Sequence, residues 1–249
     1  MVFSRESVAT NMIGFRTVVL LLCWLLLQSG YAATTEECVI FLHGLARTTD
    51  SMQKMADAFE ANGYAVANEG YPSRQFPVEE LAPLAVETGI AACPADSTVH
   101  FVTHSLGGIL VRVYLENEQL ENLGRVVMLA PPNGGSEVVD SMVGTPGFAW
   151  LNGPAGAQLG TDEESVPSQL GPVDFEVGVI AGTKSINFML SQYLPNPDDG
   201  KVSVERTKVR GMADFITVPH SHPFIMSASE VISQTLAFIE TGHFMHAEN

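Results

Sequence analysis

The chain has 249 residues, 46% of them apolar and only 16% charged. That is enough to build a full-sized core and unlike a disordered chain. Its formal net charge is −16, with 12 Lys and Arg in all. Such acidity argues against nucleic acid as a partner, because a negative surface repels phosphate backbones, and against strong electrostatic docking on anionic lipid.

Residues 1–32 read as a signal peptide. Arg5 and Arg16 precede an apolar run from Val18 to Leu27, shorter than the roughly 20 residues that span a bilayer. Small residues at Gly30 and Ala32 fit cleavage after Ala32. Retention of the segment as an N-terminal membrane anchor is the alternative. Either way residues 33–249, read as one domain, are expected outside the cytoplasm as a periplasmic or secreted protein. Cys23 lies in the apolar run, which leaves Cys38 and Cys93 as an even pair. An oxidising compartment would permit a bridge between them.

From Cys38 onward strand-like and helix-like segments alternate. Cys38 to Leu42 is a short apolar run of the kind buried on both faces of a sheet. Ser51 to Ala61 carries Met52, Met55, Ala56 and Phe59 at helical spacing, and Gly63 stops it. A strand is predicted over 64–67, a helix over 78–92 and a β-branched strand over 98–103. A helix from Ile109 to Glu118 follows. Strands are predicted over 125–130, 175–181 and 214–218, and a closing helix over about 227–241. The alternation predicts a mostly parallel sheet flanked by helices. Residues 141–172, rich in Gly and Pro, break the rhythm and read as an irregular, lid-like excursion or an inert insertion. Phe148, Trp150 and Leu151 within it suit either an acyl-binding wall or plain core.

The chemistry centres on Val99-His100-Phe101-Val102-Thr103-His104-Ser105-Leu106-Gly107-Gly108. A strand ends, a Ser sits at the turn, and a helix begins at once. A tight reversal of this kind pushes the hydroxyl clear of both elements, over a helix N-terminus with free N–H groups. This resembles the nucleophile elbow of the α/β-hydrolases, in the small lipase- and esterase-like subgroup typified by bacterial triacylglycerol lipases. Thr103 departs from the usual pattern, which has Gly two residues before the Ser, and a β-branched residue there crowds the turn.

The resemblance implies further roles, and it covers the chain from about Cys38 to Phe244. Phe41-Leu42-His43-Gly44-Leu45 resembles the oxyanion loop, with the backbone N–H groups of Leu45 and Leu106 as donors. His43 is read as structural, bonding within its own loop. The acid must fall between the 175–181 strand and the last His. Asp199, in Asp199-Gly200-Lys201-Val202, resembles the acid loop of bacterial lipases; Asp198 is its close competitor, and Asp214 reads as a solvated strand end. His220 and His222 both follow the last strand, and His222, just before Pro223-Phe224, resembles the base. A metal held by His220 and His222 lacks a third ligand with suggestive spacing, so no metal or organic cofactor is expected. His243 and His246 read as surface residues. Leu129 to Glu137, with Pro131-Pro132-Asn133-Gly134-Gly135-Ser136, resembles the pocket rim of the subgroup, and Ser136 sits on no elbow. In this fold the strands beginning near Cys38 and after Cys93 are parallel neighbours, which implies a Cys38–Cys93 disulfide at the end of the sheet opposite the site.

The expected activity is cleavage of carboxylic (acyl) esters by Ser105, His222 and Asp199, in a monomer acting on a small-molecule or lipid ester with transient membrane or lipid-interface contact. An acyltransferase or thioesterase with the same triad, an amidase or peptidase, and a silent binding protein on this fold are the rival readings.

Overall fold

A computed structural model describes residues 36–246; the expected signal peptide, with Cys23, lies outside them. Six parallel strands form one sheet in the order β2-β1-β3-β4-β5-β6: β1 Glu37–Leu42, β2 Ala65–Ala67, β3 Thr98–His104, β4 Leu123–Leu129, β5 Val177–Gly182 and β6 Asp214–Val218. The longer helices are α1 Asp50–Ala61, α2 Val78–Ala92, α3 Leu106–Asn117 and, closing the chain, Ser229–Thr241.

The strand sequences are apolar almost throughout because both faces are covered. Period-2 alternation divides them between two cores. Cys38, Ile40, Leu42, Phe101 and Met128 face the side where α2 and α3 bury Leu81, Val86, Ile109 and Leu110. Val39, Phe41, Val102, Val127 and Leu129 face the side where α1 buries Met52, Met55 and Phe59 and the closing helix buries Val231, Phe238 and Ile239. Strand order reverses between β1 and β3, and a doubly wound sheet opens a crevice at the carboxyl ends of strands at such a switch point. The loops after β1 and β3 therefore meet there.

Residues 141–172 are more regular than their composition predicts. Short helices run over Glu137–Met142 (α4), Phe148–Ala157 (α5) and Val166–Gln169 (α6). The breakers fall where helices tolerate them. Gly147 caps the start of α5 at φ 87°, Gly153 bends it at φ 65° with Pro154 beginning the next turn, and Pro167 occupies the first turn of α6. At the tip between α4 and α5, Gly144 and Gly147 have positive φ, and no atom stands within 4 Å of where a Cβ would lie.

Of the three residues expected as wall or core, Phe148 is buried, whereas Trp150 and Leu151 are exposed. Two further elements, α7 Phe188–Ser191 and α8 Val204–Thr207, connect β5 to β6, and the closing helix is α9. Asp214 is not a solvated strand end. The chain after α9 folds back on it, so its carboxylate accepts from the Phe215 and Phe244 N–H groups and lies 2.9 Å from the exposed His246 ring. Cys38 and Cys93 form a disulfide, with Cα atoms 5.8 Å apart, at the amino end of β1. No helix among the described residues is long and apolar enough to cross a membrane.

Candidate active site

Ser105 lies directly between β3 and α3 at φ 53°, ψ −118°, a region that non-glycine residues avoid unless the surroundings hold them there. Two features hold it. Its N–H donates to the Leu129 carbonyl at 2.9 Å, pinning it to β4. The helix also comes very close to the sheet: a Cβ on Gly107 would stand 2.6 Å from the Leu42 carbonyl oxygen. Helix α3 therefore starts at Leu106, three residues before the expected Ile109, because close packing overrides the poor helix propensity of two glycines.

Thr103 fits the crowded elbow because of the second glycine. Its hydroxyl donates to the Val127 carbonyl at 3.4 Å, and a Cβ on Gly108 would lie 3.2 Å from that same hydroxyl and 3.4 Å from Met128 Sδ. The volume that a glycine two residues before the Ser would free is freed instead one turn into the helix.

The three sequence-predicted residues meet in one chain of hydrogen bonds. His222 Nε2 is 3.0 Å from Ser105 Oγ, and His222 Nδ1 is 2.7 Å from Asp199 Oδ2. Asp199 is fully buried. Its other oxygen accepts from the Lys201 and Val202 N–H groups at 2.9 and 2.8 Å, so the turn itself satisfies the carboxylate. Because Asp199 can only accept, His222 Nδ1 carries the proton and Nε2 offers its lone pair to the serine hydroxyl. Asp199 also holds the His222 backbone, since the His222 N–H donates to the Asp199 carbonyl at 3.0 Å.

The competing residues lie elsewhere. Asp198 accepts from Ser191 Oγ and the Gly200 N–H, both at 2.7 Å, and shapes the turn that presents Asp199. His220 turns to Glu230 at 3.4 Å, so the two histidines do not converge on a shared ligand. Ser136 donates to the Lys201 carbonyl at 2.6 Å and ties the rim to the acid turn.

The turn after β1 is built around His43. Its Nδ1 donates to the Gly44 carbonyl at 2.9 Å, its ring stacks on Tyr71 with centroids 4.2 Å apart, and the Tyr71 hydroxyl donates to the His43 carbonyl. Burial lowers the His43 pKa and so favours a neutral ring, against the opposing bond to the Gly44 carbonyl. Among the described residues, neither the Leu45 nor the Leu106 N–H has a protein acceptor. Leu106 is the first residue of α3, where backbone donors are left over by the helix itself.

Beneath the rim lies a network that the sequence did not flag. Arg112 of α3 is buried, with no salt bridge among the described residues, and donates to the Asn133 carbonyl and side-chain oxygen and to the Gly171 carbonyl. Burial brings its pKa down to about 10. Asn133 Nδ2 in turn donates to the Thr207 carbonyl at 2.8 Å. A planar, multi-donor guanidinium suits this task, and it fastens α3 to the Asn133 turn and the end of the excursion.

No protein-family model matches the chain, and no curated protein matches it either. Solved structures do. The Bacillus licheniformis lipase BlEst2 in propeptide form superposes with a TM-score of 0.62 at 18% identity over 87% of this chain and 52% of that one. This chain therefore spans about half of that precursor. The mature form of the same lipase gives 0.57 at 18% identity, over 82% of this chain and 90% of that one. The metagenomic carboxyl esterase MGS0156 gives 0.56 at 17% identity, over 78% and 66%. With a six-stranded parallel sheet and a serine at the β3–α3 turn, the chain has the α/β-hydrolase fold.

Proposed function

We propose that the chain is an exported serine hydrolase that cleaves carboxylic esters with Ser105 as nucleophile, His222 as general base and Asp199 as its orienting acid. One observation carries this reading: the unbroken path from Asp199 Oδ2 through both ring nitrogens of His222 to Ser105 Oγ. In the proposed reaction Ser105 Oγ attacks the acyl carbon as its proton passes to His222 Nε2. The negative oxygen so formed is held by the Leu45 and Leu106 N–H groups, and loss of one such donor costs about 3 kcal/mol of transition-state stabilisation. The C–O bond then breaks, the alcohol leaving with the proton from His222. Water repeats the sequence on the acyl-serine and releases the acid.

Apolar side chains left in solvent around the carboxyl ends of the strands support an acyl substrate met at a lipid–water surface. Trp150 is 81% exposed, Phe188 79% and Met189 77%, and Phe224, two residues from the base, is exposed as well. The neighbours named lipase and carboxyl esterase support the same class. The Cys38–Cys93 disulfide supports an oxidising compartment and hence export.

The test is labelling with a fluorophosphonate, together with hydrolysis of p-nitrophenyl esters across acyl lengths, with and without a dispersed neutral lipid. Label on Ser105 that disappears in Ser105→Ala, with ester turnover lost in parallel, is the expected result. A folded protein that takes no label and turns over no ester overturns the proposal. Transfer of the acyl group to an added alcohol or thiol in preference to water would redirect it to an acyltransferase.

A further inference from the structure

A second imidazole is built into the site. His104, the last residue of β3, is almost completely buried, and its ring centroid is 4.8 Å from that of His222. Its Nε2 is 3.0 Å from the His222 carbonyl oxygen. A carbonyl only accepts, so Nε2 carries the hydrogen and Nδ1 is a bare lone pair. That Nδ1 is buried with no hydrogen-bond partner among the described residues and faces the turn after β1: a Cβ on Gly44 would lie 2.6 Å from it and 3.3 Å from Ser105 Cβ.

We propose that His104 is a positioning residue for the base, its Nε2–H bond to the His222 carbonyl holding the His222 ring in line between Ser105 and Asp199. This rests on the catalytic reading given above. The His222 backbone is then gripped on both sides, its N–H by the Asp199 carbonyl and its carbonyl by His104. Pro223, which has no N–H, follows, and the residue before a proline is restricted to extended backbone. Few torsions of the base loop are left free. The same ring reaches the oxyanion turn through Gly44, where any larger residue would displace it. One side chain thus touches the loops that carry nucleophile, base and oxyanion donors.

Chemistry favours a neutral ring in this place. Burial first, and then the neighbouring His222, push the His104 pKa well below the ordinary value, against the opposing bond to the His222 carbonyl. His104 therefore donates its one hydrogen whether or not His222 has taken the proton of Ser105. A ring that could itself charge would repel the imidazolium formed there.

The experiment compares His104→Phe, which keeps a flat ring without a donor, with His104→Gln, which keeps an N–H at similar reach. Active sites are counted by fluorophosphonate, so that kcat is expressed per competent Ser105. His104→Phe is expected to lower kcat by about 10²-fold, the size of loss that a misplacement of about 1 Å produces, with KM changed less than about threefold. His104→Gln is expected to recover at least about a tenth of the wild-type kcat. If His104→Phe retains kcat within about threefold, or His104→Gln falls as far as His104→Phe, the proposal fails. Nitrogen-15 NMR of the imidazoles in wild-type protein tests it without any variant. The expected His104 state is protonated on Nε2 and bare on Nδ1 at every pH where the protein is folded and active; the opposite tautomer, or a charged ring, overturns the inference. Absence of label on wild-type Ser105 would instead sink the catalytic reading beneath it.

Discussion

The two ends of the sheet are built on different terms. Among the described residues, three of the four non-glycine residues held at positive φ lie past the carboxyl ends of strands, at Ala46 (56°), Ser105 (53°) and Ala130 (48°), and the fourth, Asp96 (62°), precedes β3 at the amino end. Buried polar groups gather at the carboxyl end, among them Asp198, Asp199, His43, His104 and His222. At the amino end the disulfide ties β1 to the segment before β3, Arg125 pairs with Glu176 at 2.9 Å and donates to the Ile239 carbonyl, and Asp214 gathers in the chain after α9. Most of the strained backbone and of the buried polar groups thus lies beside Ser105, and the disulfide lies at the other end. Substitutions at the carboxyl end should therefore reach activity as well as stability, and those at the amino end should change stability alone.

The sharpest way to break this contrast is Asp199→Asn. It keeps the shape of the turn but removes the acceptor that fixes the His222 tautomer, and kcat should fall by about 10⁴-fold with little change in Tm. Asp198→Asn, one residue away, should lower kcat by less than about tenfold, because that carboxylate holds only the turn. Equal losses in ester turnover from both would erase the distinction between neighbouring acids.

The glycines come next. Gly107→Ala forces a methyl against the Leu42 backbone, which cannot rotate away, and should destabilise by about 3 kcal/mol in urea unfolding. Gly108→Ala should be milder, about 1–2 kcal/mol, and Thr103→Ala in the same chain should recover part of the loss. A double variant no better than Gly108→Ala alone would refute the exchange of volume between positions 103 and 108.

At the opposite end, Cys93→Ser should cost about 2–4 kcal/mol, since it frees a loop of 55 residues in the unfolded chain, while kcat per labelled site stays at the wild-type value. Ser105→Gly gives a smaller effect of opposite sign: activity is lost, yet stability should rise by about 1 kcal/mol as strain of about 1–3 kcal/mol is relieved against the entropy of glycine.

The smallest effect is at Asp214. Burial pushes its pKa up, but the N–H groups of Phe244 and Phe215 and the His246 ring outweigh this and hold it below the ordinary value of 3.8. A depressed carboxylate stabilises the fold fully above its unfolded pKa, and the contribution fades as pH falls through the lower folded value. Asp214→Asn should therefore lower Tm slightly at neutral pH and flatten its decline below about pH 4. A variant whose Tm profile overlays the wild type would remove Asp214 from the amino-end ties.

The sequence was legible where one local pattern decides the structure. The strands announced themselves as apolar runs, and the elbow as a strand, a Ser and a glycine-rich helix start. Serine, acid and histidine also fell in the chain order of the fold that the elbow resembles. Less was legible where partners are remote. The bonds of Asp214 come from Phe244 and His246, some thirty residues on, and those of Arg112 from Asn133 and Gly171. The early start of α3 was hidden because Gly107 and Gly108 signal a break by propensity, and only their contact with β1 and Thr103 explains a helix there. The His104 ring gave no periodic signal, since its role depends on a carbonyl 118 residues away. In the excursion, glycine and proline masked helices that they in fact cap and bend.

The unobstructed bend at Gly144 and Gly147 has a practical side. Lengthening a loop adds only about 0.6 kcal/mol of closure entropy for each doubling, and side chains grafted here would meet no neighbour. A reporter peptide or a tether to a solid support spliced between those two positions would ride on the protein at a point where its own side chains leave room.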